Sequence, residues 1–295
     1  MQMIVSREKD GLMLSRFLTQ VAANVPQWAI REVIKKRDVR IDGVRISADV
    51  RVYEGQEIRV FWPKNIVAAK EKRALPKPEI VFEDAHVLLM NKPQGIASQN
   101  EDHPMEGDTA LTRVLAYLAE KGEKTDDVHL CHRLDVQTGG LLLFAKDESS
   151  HESAFDAFSQ RTFRKTYTCR VKGCPAQKQA VMRAYLRKDA QLARVVVTDY
   201  PARGAQEIVT AYRVVEEAEC ALLEVELITG RTHQIRAHLA HIGHPILGDD
   251  KYGDRILNRQ KNIRRQQLWA TGLEFHASGA LAYLNGRSFS VQYPL

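Results

Sequence analysis

No stretch of this 295-residue chain approaches the roughly 18 consecutive apolar residues of a membrane span. The opening segment, Met1 to Asp10, is polar and lacks the apolar core of a secretion signal, so a cytoplasmic protein with no membrane partner is expected. Cysteine is scarce. Cys131, Cys169, Cys174 and Cys220 include no Cys-x-x-Cys pair, which argues for reduced, partly buried thiols and against a disulfide framework. The absence of internal repeats and low-complexity tracts excludes solenoids and extended disordered arrays. What remains is ordinary for a soluble globular chain: 44% hydrophobic and 27% charged residues, in a length that suits one large domain or two smaller ones.

Charge is unevenly placed. Residues 1–78 hold 16 Lys and Arg against 9 Asp and Glu, whereas the rest holds 27 against 28. Essentially all of the excess of +6 therefore lies in the first quarter. Such asymmetry fits either a polyanion-binding module joined to a nearly neutral body or a solvated basic face.

Residues 11–62 read as a compact unit. Leu12, Leu14, Phe17, Leu18 and Val21 recur at helical spacing, and Gln27 to Lys36 forms a second helical stretch carrying Trp28, Ile30 and Ile34. Arg31, Lys35, Lys36 and Arg37 cluster near its C-terminal end, where cations also suit the helix dipole. Short alternating segments follow, with Asp42-Gly43 as a hairpin turn between Val39-Arg40-Ile41 and Val44-Arg45-Ile46. Residues 64–78, rich in Lys, Ala and Glu between prolines, are expected to be a linker.

From residue 79 strands dominate. They are expected at 80–82, 87–90, 141–146, 164–172, 208–215, 220–228, 268–275 and 281–291. Helices are expected after an Asp108-Thr109 cap, at 148–160 and at 232–242. Regular βα alternation is absent, so the expected class is α+β: a small α/β module followed by a domain on a mixed, mainly antiparallel sheet with flanking helices.

The most informative segment is His132-Arg133-Leu134-Asp135-Val136-Gln137-Thr138-Gly139-Gly140. It sets a carboxylate between an Arg-bearing segment and a tight Gly-rich turn, with the apolar run Leu141 to Ala145 behind it. A solvated surface Asp needs no such support, so Asp135 reads as a working carboxylate. Taken alone, a loop-capping Asp would be the commoner reading.

Four segments together resemble the RluA-type pseudouridine synthases. These are Lys92-Pro93-Gln94-Gly95, the Asp135 string, Lys165-Thr166-Tyr167, and Gly230-Arg231-Thr232-His233-Gln234-Ile235-Arg236-Ala237-His238-Leu239, which continues through Gly248-Asp249 to Tyr252-Gly253. The resemblance covers residues 79–295, and residues 1–63 are similar to the S-four-like RNA-binding module of ribosomal proteins. Two positions depart from the catalytic family: Gly139 stands where Ser is usual, and Trp269 where His is frequent. In the module, Lys36-Arg37-Asp38 replaces a segment that often has Gly, and Asp42 replaces Asn.

The resemblance implies an RNA pseudouridine synthase acting on ribosomal RNA, with transfer RNA as the other candidate, as a monomer and without a small-molecule cofactor. The reaction breaks the glycosidic bond of a uridine and rejoins the base through its carbon five, with no redox change. Asp135 would act as nucleophile or as the base of an elimination. Arg236 would keep it ionised in a dry pocket, and Tyr167 would stack on the base. Arg133, Leu268, Lys165 and Lys92 are expected to bind substrate, and Arg31, Lys35, Lys36 and Arg37 to bind RNA in the module. The target uridine must leave its stack, at a cost that phosphate contacts can offset. Competing readings are an RNA-binding assembly factor with an inert site and a glycosidic hydrolase, which would want a second placed carboxylate. His233, His238, His241 and His244 lack a familiar ligand set, so no metal is expected.

Overall fold

The computed structural model describes residues 1–22, 25, 27–62, 75–101, 104–189 and 194–294. The chain divides into two compact units, Met1–Ala74 and Leu75–Leu295. Most of the expected linker lies outside the described residues.

The first unit contains β1 (Gln2–Ile4), α1 (Leu14–Val21), α2 (Gln27–Lys35), β2 (Val39–Ile41), β3 (Val44–Ile46) and β4 (Glu57–Val60). Its strands pair antiparallel in the order β1-β4-β2-β3. Helix α1 buries Leu14, Phe17 and Leu18, and α2 buries Ile30, Val33 and Ile34, all against Val39, Ile41, Ile58 and Val60. Asp42 and Gly43 turn the β2–β3 hairpin with φ of +49° and +81°, the left-handed pair that a two-residue type I′ turn requires. Arg37 also has a left-handed φ, +62°, immediately after α2. The backbone thus keeps the geometry that glycine or asparagine accepts most readily at the two places where the sequence departs from the module's pattern.

The second unit runs β5 (Glu79–Glu83), β6 (Val87–Lys92), α3 (Ala110–Glu120), β7 (His129–Leu130), β8 (Gly139–Ala145), α4 (Glu148–Gln160), β9 (Arg164–Arg170), β10 (Gln179–Asp189), β11 (Arg194–Thr198), β12 (Gln206–Glu216), β13 (Leu222–Leu227), α5 (Gln234–His241), α6 (Arg255–Gln260), β14 (Leu268–Glu274) and β15 (Ser288–Ser290). Among the described residues these strands form one sheet in the order β11-β10-β12-β13-β9-β14-β8-β6-β5, with β15 beside β14 and β7 beside β8. The β14–β8 pair is parallel and the other neighbours are antiparallel, so the sheet is mixed and mainly antiparallel, as expected.

Strand β8 is buried along its whole length because both faces are covered. Leu142 and Phe144 join Leu88, Met90 and the apolar face of α3, while Leu141 and Leu143 join Val87, Leu89 and Ala154 and Ala157 of α4. The Thr109 hydroxyl accepts from Thr112 N at 3.2 Å and the Thr112 hydroxyl accepts from Thr109 N at 3.0 Å, closing a capping box at the start of α3.

The segment expected as a strand at 281–291 is different. Gly279–Leu284 is a 3-10 helix that buries Leu281 and Leu284 at its three-residue period, and only Ser288–Ser290 extends. Strands β10 and β11 are not evident from pattern, since β10 carries exposed and half-buried residues through most of its length. No helix among the described residues is long and apolar enough to cross a membrane. All four cysteines are unpaired, with Cys169 buried.

Candidate active site

Asp135 sits on the loop joining β7 to β8, at the edge of the parallel β14–β8 seam. That loop is braced at nearly every residue. The Ser98 hydroxyl donates to Leu134 O and accepts from Leu134 N, both at 2.9 Å. Gly95 N donates to Val136 O at 2.8 Å, the Gln94 amide donates to Gln137 O at 2.7 Å, and the Gln266 amide donates to the Thr138 hydroxyl at 2.9 Å. Thr138 N closes the turn on Asp135 O at 3.0 Å. With its backbone so restrained, the carboxylate has little freedom beyond its own side-chain torsions.

Lys92, expected from the sequence to contact substrate, is instead fully buried beneath this loop. Its ammonium donates to Pro93 O at 3.1 Å and Ile96 O at 2.9 Å and approaches Val136 O at 3.4 Å. Burial pushes its pKa down to about 8, against the opposing pull of Asp135. It therefore acts as a clamp on the loop and does not line the cavity.

Arg236 comes from the first turn of α5. Gln234 anchors that turn: its amide donates to Val209 O and the Thr210 hydroxyl, and its carbonyl accepts from the Thr229 hydroxyl and Arg231 N. The Arg236 guanidinium donates to Asp249 through Nε at 2.6 Å and Nη2 at 3.0 Å, a planar two-point contact that fixes its orientation. The remaining Nη1 donates to Asp135 Oδ2 at 2.8 Å, and Nη2 reaches Asp250 at 3.1 Å. The Tyr252 ring packs on the guanidinium at 5.4 Å. Burial opposes charge on Arg236, but Asp249, followed by Asp135, outweighs it and raises the pKa. Asp249 is held low despite burial by the same pair and by backbone N–H groups of Tyr252 and Lys251. The two residues expected to act together from distant parts of the sequence are thus in direct contact.

They open on a cavity of about 990 Å³, near the upper end of the ~300–1,000 Å³ typical of ligand clefts. Lys165 and Tyr167, two apart on β9, face into it together, and Leu268 of β14 lies on the same side of the sheet. Burial, with Asp135 adding to it, drives the Tyr167 phenol upward and keeps it neutral. Lys165 is nearly buried and forms no ion pair with any described carboxylate; its ammonium lies 5.6 Å from the Phe158 ring. Burial, then the charge of Arg161, lowers its pKa. Arg133 is at the rim, exposed and paired with Glu101 at 2.9 Å. In the first unit Arg31, Lys35, Lys36 and Arg37 are all exposed, and Lys36 pairs with Glu32 at 2.6 Å.

Two neighbours are not marked out by the sequence. Asp249 lies inside the long family-like run, yet nothing in its spacing identifies it as the partner of Arg236. His233 adopts φ +55° at the N-cap of α5, with Nδ1 3.0 Å from the Tyr252 hydroxyl and Nε2 3.9 Å from Asp135 Oδ2. Burial is the main cause that lowers its pKa. The other three histidines of this region point to separate partners: His238 to Thr210, His241 to Asp199 and His244 to Lys172 O.

One cleft thus brings together a braced carboxylate, an oriented guanidinium and a neutral tyrosine. A sequence model of the RNA pseudouridylate synthases matches residues 86–241. The chain is 31% identical over 288 residues to ribosomal large subunit pseudouridine synthase C of Vibrio cholerae, covering 92% of this chain and 87% of that one. It is 29% identical over 296 residues to the protein of the same name from Escherichia coli K12, covering 93% and 88%. Among solved structures, human RNA pseudouridylate synthase domain containing 4 superposes with a TM-score of 0.59 at 26% identity, over 73% of this chain and 88% of that one. The chain belongs to the RNA pseudouridine synthase family, and is an isomerase that converts uridine to pseudouridine in RNA.

Proposed function

We propose that Asp135 is the carboxylate that drives the isomerisation, acting on a uridine turned out of its RNA stack into the cavity. The observation that carries this reading is the 2.8 Å contact between Arg236 Nη1 and Asp135 Oδ2, on a guanidinium whose other edge is fixed by Asp249. The contact leaves Asp135 Oδ1 available to the substrate. Tyr167 offers a neutral ring and hydroxyl against the base, and Leu268 an apolar wall. Lys165, which forms no ion pair with any described carboxylate, is suited to a phosphate or a base carbonyl. Arg133, on the rim beside Asp135, would meet the RNA backbone or occupy the gap that the everted base leaves.

Residues 1–63 supply affinity in this scheme. The exposed cations Arg31, Lys35, Lys36 and Arg37 would contact phosphates, offsetting the few kcal/mol needed to unstack a nucleotide. Ribosomal RNA of the large subunit is the proposed substrate, since the bacterial relatives that match over most of their length carry that substrate in their names.

The test is tritium release from RNA labelled at uracil carbon five, because only isomerisation frees that label. Release from large-subunit RNA, with free transfer RNA inert, is expected. Release from transfer RNA alone would overturn the assignment of substrate, and free uracil in the product would overturn the reaction.

A further inference from the structure

Away from the cleft, three side chains converge on the start of α4. The Glu148 carboxylate lies 3.1 Å from His129 Nε2 and 3.7 Å from His151 Nδ1. The two imidazoles stack with centroids 4.4 Å apart and planes 12° from parallel. One nitrogen from each histidine and one oxygen from the carboxylate all fall within 4.8 Å of one another. We propose that His129, Glu148 and His151 form a binding site for a single divalent transition-metal ion, with zinc the best match.

The arrangement supports this in three ways. Glu148 and His151 stand at i and i+3 on the first turn of a helix, a spacing that presents both donors to one point. His129 arrives from β7, whose pairing with β8 sets His129 opposite Ala145, so the third donor is held by the sheet and not by a free loop. Two imidazoles and a carboxylate are also a donor set that zinc accepts, with Zn–N of about 2.0–2.1 Å and a fourth position left for water.

The exposure of Glu148, 64% of its side chain, gives that fourth position access to solvent. Neighbouring Asp147 is not available as a further ligand. Its oxygens already accept from Ser150 N, the Ser149 and Ser150 hydroxyls and His86. Around a tetrahedral ion the donors would stand roughly 3.4 Å apart. The glutamate oxygens already stand 3.1 and 3.7 Å from the two imidazole nitrogens, and the near-parallel rings would have to turn about their side-chain torsions for both in-plane lone pairs to meet one ion.

An ion held here would fasten β7 to α4. The strand β7 leads directly into the segment that carries Asp135, so the metal would stiffen the approach to the catalytic loop without touching substrate.

The experiment uses the full chain stripped with a chelator and titrated with Zn²⁺ against a chromophoric competitor. Wild type is compared with a His129→Asn/His151→Gln double variant and with Glu148→Gln. Wild type should bind one equivalent more than the double variant, and Glu148→Gln should weaken that equivalent by about tenfold or more. Zinc should raise the melting temperature of wild type and leave the double variant unmoved. The cobalt form should show no thiolate charge-transfer band at this equivalent, which separates it from binding at the cysteines. Equal stoichiometry in wild type and the double variant, or no saturable binding in wild type, would overturn the proposal.

Discussion

The indole of Trp269 fills the space where a side chain at residue 139 would stand. A Cβ built on Gly139 would lie 2.4 Å from Trp269 Cζ2 and 2.5 Å from Cη2, distances that no real Cβ shows. The two residues are register partners across the parallel β14–β8 seam. The positions that depart from the family pattern are therefore one compensated change and not two. The extra glycine does not loosen the loop that carries Asp135, because the ring packs over it and its Nε1 reaches Asn91 Oδ1 at 3.4 Å.

This predicts a strong coupling. Gly139→Ser alone should destabilise the second unit by roughly 1–3 kcal/mol through overpacking. Trp269→His alone should also destabilise it, by leaving a void. The double variant should cost less than the sum, with a coupling energy of about 1 kcal/mol or more. Denaturant unfolding of the four proteins measures the cycle, and simple additivity would contradict the packing argument.

Arg236→Lys tests the guanidinium. An ammonium cannot hold Asp249 at two points and still reach Asp135, so the carboxylate proposed to act on the uridine loses its oriented partner. Turnover should fall on the order of 100-fold. KM for RNA should change little, because the phosphate contacts proposed for the first unit and the rim are untouched. A rise in KM at unchanged kcat would place Arg236 in RNA binding.

Lys92 gives a pH signature. Its folded pKa is lowered from 10.5 to about 8, so the folded protein gives up this proton before the unfolded chain does. Between about 8 and 10.5 the unfolded state binds more protons at this residue, and its contribution to stability rises with pH. The clamp on the loop carbonyls, however, loses a donor over the same interval. Turnover should therefore decline as pH passes about 8 while the stability cost of this buried charge diminishes over the same interval. Lys92→Met, which cannot titrate, should have low turnover without that alkaline limb. The same limb in Lys92→Met would assign it to another group.

The basic cluster is tested by salt. Replacing Arg31, Lys35, Lys36 and Arg37 with alanine in the full chain should weaken RNA binding. The slope of log K against log salt should become shallower by about 0.7–0.9 for every phosphate that a replaced side chain had neutralised. Filter binding at several salt concentrations reads this directly, and an unchanged slope would remove the first unit from RNA binding.

Much of this architecture is legible in the sequence because local pattern and tertiary role agree. The helix expected at 148–160 and the strand at 141–146 match α4 and β8 closely, since capping residues and a continuous apolar run mark them. The segment 281–291 misleads because Leu281 and Tyr283 alternate as strand residues would, whereas the core buries Leu281 and Leu284 together, at the three-residue spacing of a 3-10 turn. In the site, Asp135, Tyr167 and Arg236 are visible through motif context. Lys92 is expected to bind substrate because nothing local reveals that it lies under a loop and bonds carbonyls. Asp249 and His233 are hidden for a similar reason: their roles depend on a pairing geometry and a left-handed backbone that no residue spacing encodes.

The most direct measurement is single-turnover tritium release by Asp135→Asn beside its RNA affinity. The variant keeps the size of the side chain and an acceptor for Arg236, but not the charge. Release should be abolished while RNA binding stays within about twofold of wild type, because phosphate contacts carry the affinity. Turnover comparable to wild type in Asp135→Asn would contradict the assignment of this carboxylate to the chemistry.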